Sequence, residues 1–312
     1  MNTNEYDNVI LNVEELIHHQ DSEISNFNQT ISIIGIKNRM KCLIKLCAIK
    51  SVVKIGLYKR LLVSNQITYW FDEFKCYWEK VLCLRPLWGP HDFFFLFGNY
   101  RKKFSDLEVN NKFKDDHMKA WSDPRTIYLL FFNQWKLALN PLYVEPYISY
   151  IPKGGKILEY GCGAAPITTS MSHNYRHLSI KCDCVDIPTI VFHFVRWKFR
   201  TKYDINVIKI HPMDEKPVKE TYDTIFCLAV FEHLPKPLKI ANYFINSLKL
   251  GGFLVFDYIL SEGDGLDTYQ GVNERLNVIK LFSEELEVVH GNLSNLSNIG
   301  TVICRKPFNK SV

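Results

Sequence analysis

The sequence predicts an α/β protein with a mostly helical N-terminal domain and a C-terminal doubly wound sheet, parallel except for a terminal antiparallel hairpin. Three observations carry this expectation. Strand and helix patterns alternate from Lys156 onward, and the first strand breaks into a glycine turn, GCG. Two strand-like runs close the chain, ELEVVHG and IGTVICRK, joined by a turn rich in Asn and Ser. Alternation of this kind, with right-handed crossovers, is typical of a parallel sheet covered by helices on both faces.

The first half of the chain has a different pattern. Residues 1–30 are polar and rich in Asn, which indicates a loosely held lead-in. Residues 31–145 show a helical pattern crowded with aromatic residues, and we expect a helical domain there that acts as a lid or recognises an acceptor. The aromatic side chains are interpreted as core, with a substrate wall as the alternative. Prolines at 141 and 146 end the last helix, so the second domain is expected to cover residues 146–312.

Positive charge is concentrated in residues 37–60, which contain eight Lys or Arg residues and no acid. The apolar residues between them fit amphipathic helices. Such helices can present a solvated face, or a surface for anionic lipid, an acidic protein or an anionic substrate. The net charge of +5 is too small to require a nucleic-acid partner. The polar, acidic start and the absence of a long apolar run favour a cytoplasmic protein without a transmembrane segment.

The second half divides into consecutive elements. The strand KILEYG precedes a helix at 165–174, and SIKCDCVD precedes a helix at 189–199. The strands NVIKIH and DTIFCLA follow, then a helix at 237–249, the strand GGFLVFDYI and a helix at about 273–282. In an open α/β sheet, ligands bind beyond the carboxyl ends of the strands. The residues that end these strands are therefore the candidate site residues.

Several of these strand ends carry suitable groups. Glu159 closes the first strand, and Gly161 and Gly163 allow the backbone to turn tightly and lie against a ligand. Asp186 closes the second strand. Together with the later segment YDTIFCLAVFEHLPKPL and the strand GGFLVFDY, these residues resemble the class I S-adenosylmethionine-dependent methyltransferases, in the small-molecule branch with E-H-L-P after strand four. The resemblance covers roughly residues 150–306 and implies a seven-stranded Rossmann-like methyltransferase sheet.

The resemblance implies S-adenosylmethionine as cofactor and a role for each strand end. Glu159 and the glycine turn would hold the methionine part, and Asp186 would accept both ribose hydroxyls. Asp214 would contact the adenine amino group and Met213 its ring, while the backbone after strand four would border the sulfonium. The expected cofactor-binding residues are Glu159, Tyr160, Gly161, Gly163, Asp186, Ile187, Met213, Asp214, Leu228 and Ala229. Pro166 occupies the third small position of G-x-G-x-x-G, which disfavours a pyrophosphate-binding dinucleotide enzyme.

Methyl transfer is a one-step displacement, so the protein must chiefly align the nucleophile, the methyl carbon and the sulfur. A hydroxyl nucleophile benefits from a base, and His233 is the best-placed histidine, with Asp257 as second choice. A structural role at a helix start is the alternative for His233. Some relatives bind a divalent metal through E-x-x-E-H at this helix, but Ala229 stands at the first acidic position. We therefore expect no metal. The acidic, glycine-hinged segment from Ser261 to Asp267 is either a substrate loop or a solvated connection.

These observations predict a methyltransferase that acts on a small or medium-sized acceptor. The favoured reaction is O-methylation of a saccharide or another secondary metabolite. One alternative is an RNA or protein methyltransferase that uses the basic segment 37–60. The chain lacks the Asn/Asp-Pro-Pro-aromatic pattern of amino-group methylases, which disfavours nucleic acid as a partner. A second alternative is an inactive scaffold of the same fold, whose function resides in the helical half.

Overall fold

The computed structural model describes residues 66–84, 90–105, 120–139, 142–260, 267–293 and 298–308. Three predictions lie outside these residues: the polar lead-in 1–30, the basic segment 37–60, and all of the acidic loop except Asp267. Among the described residues, 94–133 and 142–308 belong to one compact unit, and 66–93 and 134–139 belong to another. The domain boundaries expected from the sequence stay predictions.

The described part of the N-terminal half is helical. Its helices are α1 (Gln66–Lys80), α2 (Pro90–Ser105) and α3 (Ile127–Leu139), with a short 3₁₀ turn at Pro124–Thr126. In α1, Phe74 and Tyr77 are fully buried, as an aromatic stripe in a core should be. The rings of Phe97 in α2 and Phe132 in α3 stack with centroids 6.1 Å apart. The interpretation of these aromatic residues as core is supported at these positions.

The sheet confirms the predicted fold class. Within the described residues it has seven strands in the order β3-β2-β1-β4-β5-β7-β6. The pairs among β1 to β5 are parallel, and β7 runs antiparallel to both β5 and β6. The strands are β1 (Lys156–Tyr160), β2 (Lys181–Asp186), β3 (Ile205–Lys209), β4 (Tyr222–Cys227), β5 (Leu248–Tyr258), β6 (Glu287–His290) and β7 (Ile299–Arg305).

The helices between the strands are α4 (Pro166–Asn174), α5 (Ile190–Phe199), α6 (Pro237–Ser247), α7 (Tyr269–Asn273) and α8 (Arg275–Glu285). Two boundaries differ from the sequence prediction. Helix α6 ends at Ser247, because β5 already begins at Leu248 and pairs there with Tyr222. The helix expected at about 273–282 lies at 275–285 as α8, and the short helix α7 before it was not predicted. Thr268 caps α7, and its hydroxyl accepts from the Gly271 amide.

Strand order places the ends of β1 and β4 side by side at the centre of the sheet, because these two strands pair directly. The chain crosses from one half of the sheet to the other between β3 and β4. In this topology the carboxyl ends of β1 and β4 flank the switch point where ligands bind. The residues that follow these two strands therefore form the candidate site.

A cluster of aromatic rings anchors the segment after β4. The ring of Phe231 is fully buried and stacks on Tyr258 with centroids 5.3 Å apart. It also meets the rings of Phe244 and Phe282 edge-on, at 5.8 and 5.7 Å. Phe231 begins the 3₁₀ turn Phe231–His233, so this packing fixes the position of the two residues that follow it.

Candidate functional site

Glu159 lies at the carboxyl end of β1 and is 4% exposed. Its Oε1 accepts from the Ile167 amide and its Oε2 from the Thr168 amide, each at 2.9 Å. The carboxylate thus satisfies two free amides at the N-terminus of α4, where a negative charge is favourable. Burial raises the pKa of Glu159 to about 7, although these hydrogen bonds lower it. The observed contacts give Glu159 a structural task beside the predicted contact with the methionine ammonium group.

The turn that follows β1 needs glycine for two different reasons. Gly161 has φ +63°, and a Cβ there would lie 2.8 Å from Cγ1 of Val230. Gly163 has φ +50°, and the nearest atom to a Cβ would be Nδ2 of Asn133 at 3.9 Å. Ala165 also adopts a left-handed conformation, with φ +51°, and Pro166 begins α4. The turn therefore has open space beside Gly163 and close packing behind Gly161.

Asp186 at the end of β2 lies against this turn. Its Oδ2 accepts from the Gly163 amide and its Oδ1 from the Ile187 amide, each at 2.7 Å. Burial raises the pKa of Asp186 to about 6, against the opposing effect of these two hydrogen bonds. The side chain is half-buried, so its oxygens keep the capacity to accept further hydrogen bonds.

Two of the predicted cofactor residues direct their side chains into the core. Tyr160 is 3% exposed, and its ring meets Phe244 edge-on at 5.1 Å. Ile187 is half-buried and packs against the same hydrophobic cluster. A cofactor contact at Tyr160 would therefore be made by its main chain rather than by its phenol.

Met213 and Asp214 lie in a tight turn after β3. The Asp214 amide donates to the carbonyl of His211, and the His211 amide donates to Oδ2 of Asp214, both at 2.9 Å. Asp214 is exposed and Met213 is half-buried. Lys236, which precedes α6, donates to the Met213 carbonyl at 3.4 Å. This reciprocal pair of bonds holds the predicted adenine-contacting residues in one defined turn.

The end of β4 is joined to the end of β5 by a hydrogen bond. The Ala229 amide donates to Oδ1 of Asp257 at 2.5 Å, and Asp257 is 8% exposed. Ala229 has φ +55°, a conformation that costs a residue with a Cβ of the order of 1–3 kcal/mol. Leu228 beside it is half-buried. Asp257, the second-choice base, thus fixes the backbone of the segment predicted to border the sulfonium.

His233, the first-choice base, lies between two acidic residues. Its Nε2 is 3.7 Å from Oε1 of Glu232, and its Nδ1 is 3.6 Å from Oδ1 of Asp267. The ring of Trp121 meets the imidazole edge-on, with centroids 5.4 Å apart. The imidazole is 21% exposed, so an acceptor can reach it. Neither Asp267 nor Trp121 could be predicted from the sequence as a neighbour of His233, because both are distant from it in the chain.

Glu232 is the most deeply placed acid of this group, at 3% exposure. Burial raises its pKa to about 8, and the charges of Asp257 and Asp267 act in the same direction. Within the described part of the chain, its Oε2 is buried and has no hydrogen-bond partner. Glu232 is therefore largely uncharged at neutral pH.

The described residues contain no group of three or more His, Cys, Asp or Glu side chains arranged to hold a metal ion. The expectation of a reaction without metal stays a prediction. No helix in the described ranges is both long enough and apolar enough to cross a membrane.

Comparison with known proteins gives one family. Residues 135–289 match the family model described as a methyltransferase domain. A ubiquinone biosynthesis O-methyltransferase of Shewanella halifaxensis is 30% identical over 145 residues, which cover 45% of this chain and 57% of that protein. A tRNA U34 carboxymethyltransferase of Klebsiella pneumoniae is 26% identical over 160 residues, which cover 51% of this chain and 47% of that protein. The chain thus spans about half the length of the curated relatives it matches.

Among solved structures, an S-adenosylmethionine-dependent methyltransferase from Aquifex aeolicus aligns with a TM-score of 0.41 and 16% identity. That alignment covers 64% of this chain and 100% of the other.

Proposed function

Residues 135–289 belong to the class I S-adenosylmethionine-dependent methyltransferases, and from this premise we propose that the protein methylates a hydroxyl oxygen of a small or medium-sized acceptor. The favoured acceptors are a saccharide or another secondary metabolite. S-adenosylmethionine, when bound, supplies an electrophilic methyl group and leaves as a neutral thioether. The protein's task is to orient the acceptor and to take up the hydroxyl proton.

The surroundings of His233 carry this proposal. The imidazole is partly exposed and lies between the acids Glu232 and Asp267, at the carboxyl end of the sheet. Imidazole is the side chain most often used as a general base at neutral pH. Oxygen acceptors benefit most from such a base, which favours O-methylation. The similarity to an O-methyltransferase of ubiquinone biosynthesis supports the same assignment.

The residues of the glycine turn fit the cofactor. Asp186 presents a carboxylate beside the Gly163 amide, and paired carboxylate oxygens suit two vicinal ribose hydroxyls. A buried acid, Glu159, lies at the base of the same turn, where it can attract an ammonium group. Asp214 and Met213 would contact the adenine, and the backbone of Leu228 and Ala229 would border the sulfonium.

The test begins with calorimetry of the purified protein with S-adenosylmethionine and then S-adenosylhomocysteine. Transfer of a radiolabelled methyl group is then measured to monosaccharides, disaccharides, 3,4-dihydroxybenzoate and bulk tRNA. We expect micromolar binding of both cofactor forms and transfer to a hydroxyl acceptor. His233→Gln should lower kcat by about 10²–10⁴-fold with unchanged cofactor affinity.

His290→Gln, at an exposed histidine of β6, is the matched control and should leave kcat unchanged. Folded protein that binds neither cofactor form would overturn the assignment as an active methyltransferase. If methyl transfer is observed to tRNA alone, the proposed acceptor is wrong and the protein methylates RNA.

A further inference from the structure

An acidic side chain lies beside each nitrogen atom of the His233 imidazole. Oδ1 of Asp267 lies 3.6 Å from Nδ1, and Oε1 of Glu232 lies 3.7 Å from Nε2. Both distances are longer than those of hydrogen bonds. Hydrogen bonds of catalytic groups are often long before the reactants bind, and they shorten in the productive complex.

The segment that carries Asp267 is fastened to the turn that carries His233. The Thr268 amide donates to the Glu232 carbonyl at 2.9 Å, and the Thr268 hydroxyl donates to the Leu234 carbonyl at 2.7 Å. A Cβ at Gly271 would lie 2.7 Å from the carbonyl carbon of Glu232, so this glycine permits the close approach. The position of Asp267 relative to His233 is therefore set by backbone contacts and not by a loose side-chain pair.

We propose that Asp267 is a positioning residue that accepts from Nδ1–H of His233, so that Nε2 is the atom that takes the acceptor's proton. The inference rests on the proposed O-methyl transfer and adds the residue that fixes the tautomer of its base. In the reaction, the acceptor oxygen forms a bond to the methyl carbon while the carbon–sulfur bond breaks, and the hydroxyl proton moves to Nε2. The bonding electrons leave with sulfur, so the positive charge passes from the sulfonium to the imidazolium.

An anion beside Nδ1 stabilises the imidazolium that this step creates. Asp267 is 8% exposed, so its charge is only partly screened by water. Burial holds the pKa of Glu232 at about 8, which leaves that carboxyl mostly protonated at neutral pH. The charge of Asp257 on β5 also raises the pKa of Glu232, and the guanidinium of Arg275 on α8 lies over the ring of Tyr258. Asp267 is therefore the anion best placed to act on His233.

The test observes the imidazole directly, so it requires no known acceptor. Protein labelled with ¹⁵N-histidine is titrated by NMR between pH 5 and 9, and the His233 signals are assigned by their absence in His233→Gln. We expect the Nδ1–H tautomer in the wild-type protein. Asp267→Asn should lower the pH midpoint of the His233 titration by roughly one unit, because it removes an adjacent anion. Asp267→Glu, which keeps the anion, should restore the midpoint at least in part.

Asp204→Asn, at an exposed aspartate before β3, is the isosteric control and should leave the midpoint unchanged. Calorimetry with S-adenosylmethionine is run on the same proteins. Asp267→Asn should keep the wild-type affinity, since Asp267 is not assigned to the cofactor site. An Nε2–H tautomer in the wild type, or an unchanged midpoint in Asp267→Asn, would overturn the inference. Failure of the wild type to bind cofactor would instead count against the proposed function, because the NMR result is independent of it.

Discussion

Oδ2 of Asp186 accepts a hydrogen bond from the Gly163 amide at 2.7 Å, which joins the end of β2 to the glycine turn after β1. The bond places a carboxylate beside the open side of that turn, where, among the described residues, only Nδ2 of Asn133 lies within 4 Å of a Cβ built on Gly163. If Asp186 also accepts from the ribose, Asp186→Ala should weaken S-adenosylmethionine binding by about 1.5–3 kcal/mol through lost charge-assisted hydrogen bonds. Calorimetry measures the change.

The exposed aspartate Asp204 provides the control, and Asp204→Ala should bind the cofactor with unchanged affinity. If Asp186→Ala binds the cofactor with wild-type affinity, Asp186 is not part of the cofactor site and serves only to hold the glycine turn in place.

The two glycines of the turn should differ in their tolerance of alanine. Gly161→Ala places a methyl group 2.8 Å from Cγ1 of Val230 and keeps a positive φ. The strained conformation costs about 1–2 kcal/mol and the crowding a further 1–3 kcal/mol. In the part of the chain that the structure describes, a methyl group in Gly163→Ala meets only Nδ2 of Asn133, at 3.9 Å. This variant should therefore lose only the free energy of the strained conformation. Urea denaturation of both variants compares the losses. Equal losses would contradict the packing assigned behind Gly161.

The sequence predicted the sheet well because its signals are local. Each strand of the parallel part is a short apolar run, and the glycine turn and Asp186 directly follow two of these runs. Adjacent strand ends in such a sheet must lie at one edge, so the closeness of Asp186 to Gly163 could be expected. The terminal antiparallel hairpin of β6 and β7 was also predicted, from the two last strand-like runs.

The surroundings of His233 could not be predicted from local sequence patterns. Trp121 and Asp267 reach the imidazole from elements far apart in the chain, and no periodicity reports such contacts. The sequence also did not indicate that both carboxylate oxygens of Glu159 would accept hydrogen bonds from the amides of α4. An acid before a glycine turn has the same sequence pattern whether it binds a ligand or the start of a helix. A side chain's partners depend on packing, which spacing alone does not determine.

Ala229 is strained in a way that one substitution should relieve. Its φ of +55° is natural for glycine and unfavourable for a residue with a Cβ. Ala229→Gly should therefore raise the free energy of unfolding by up to about 1 kcal/mol, with the Asp257 hydrogen bond retained. The control is Ala241→Gly in the interior of α6, which should lower stability by about 1 kcal/mol or more. Urea denaturation compares the two variants. Destabilisation by Ala229→Gly would show that the methyl group contributes packing that outweighs the strain.

Three acids with raised pKa values should make the stability of the protein fall as pH rises. Burial raises the pKa of Glu159 to about 7, of Asp186 to about 6 and of Glu232 to about 8. Between the ordinary values of 3.8 and 4.5 and these raised values, the folded state holds protons that the unfolded state has released. Their contribution to the free energy of unfolding is fully present below the pKa values of the unfolded chain. It is lost as pH rises through the pKa values of the folded protein. The free energy of unfolding should thus decline between about pH 5 and 8.

Glu232→Gln isolates one of these acids, because Gln keeps the shape and stays uncharged. The variant should show a shallower decline between about pH 5 and 8, where the wild-type carboxyl holds a proton in the fold that it has released in the unfolded chain. Glu284→Gln changes an exposed acid of α8 and should reproduce the wild-type curve. Urea denaturation at half-unit pH intervals gives the slopes. A Glu232→Gln curve parallel to that of the wild type would mean that Glu232 is already ionised in the folded protein. The imidazole of His233 would then lie between two anions, and Asp267 would no longer be the distinguishing neighbour.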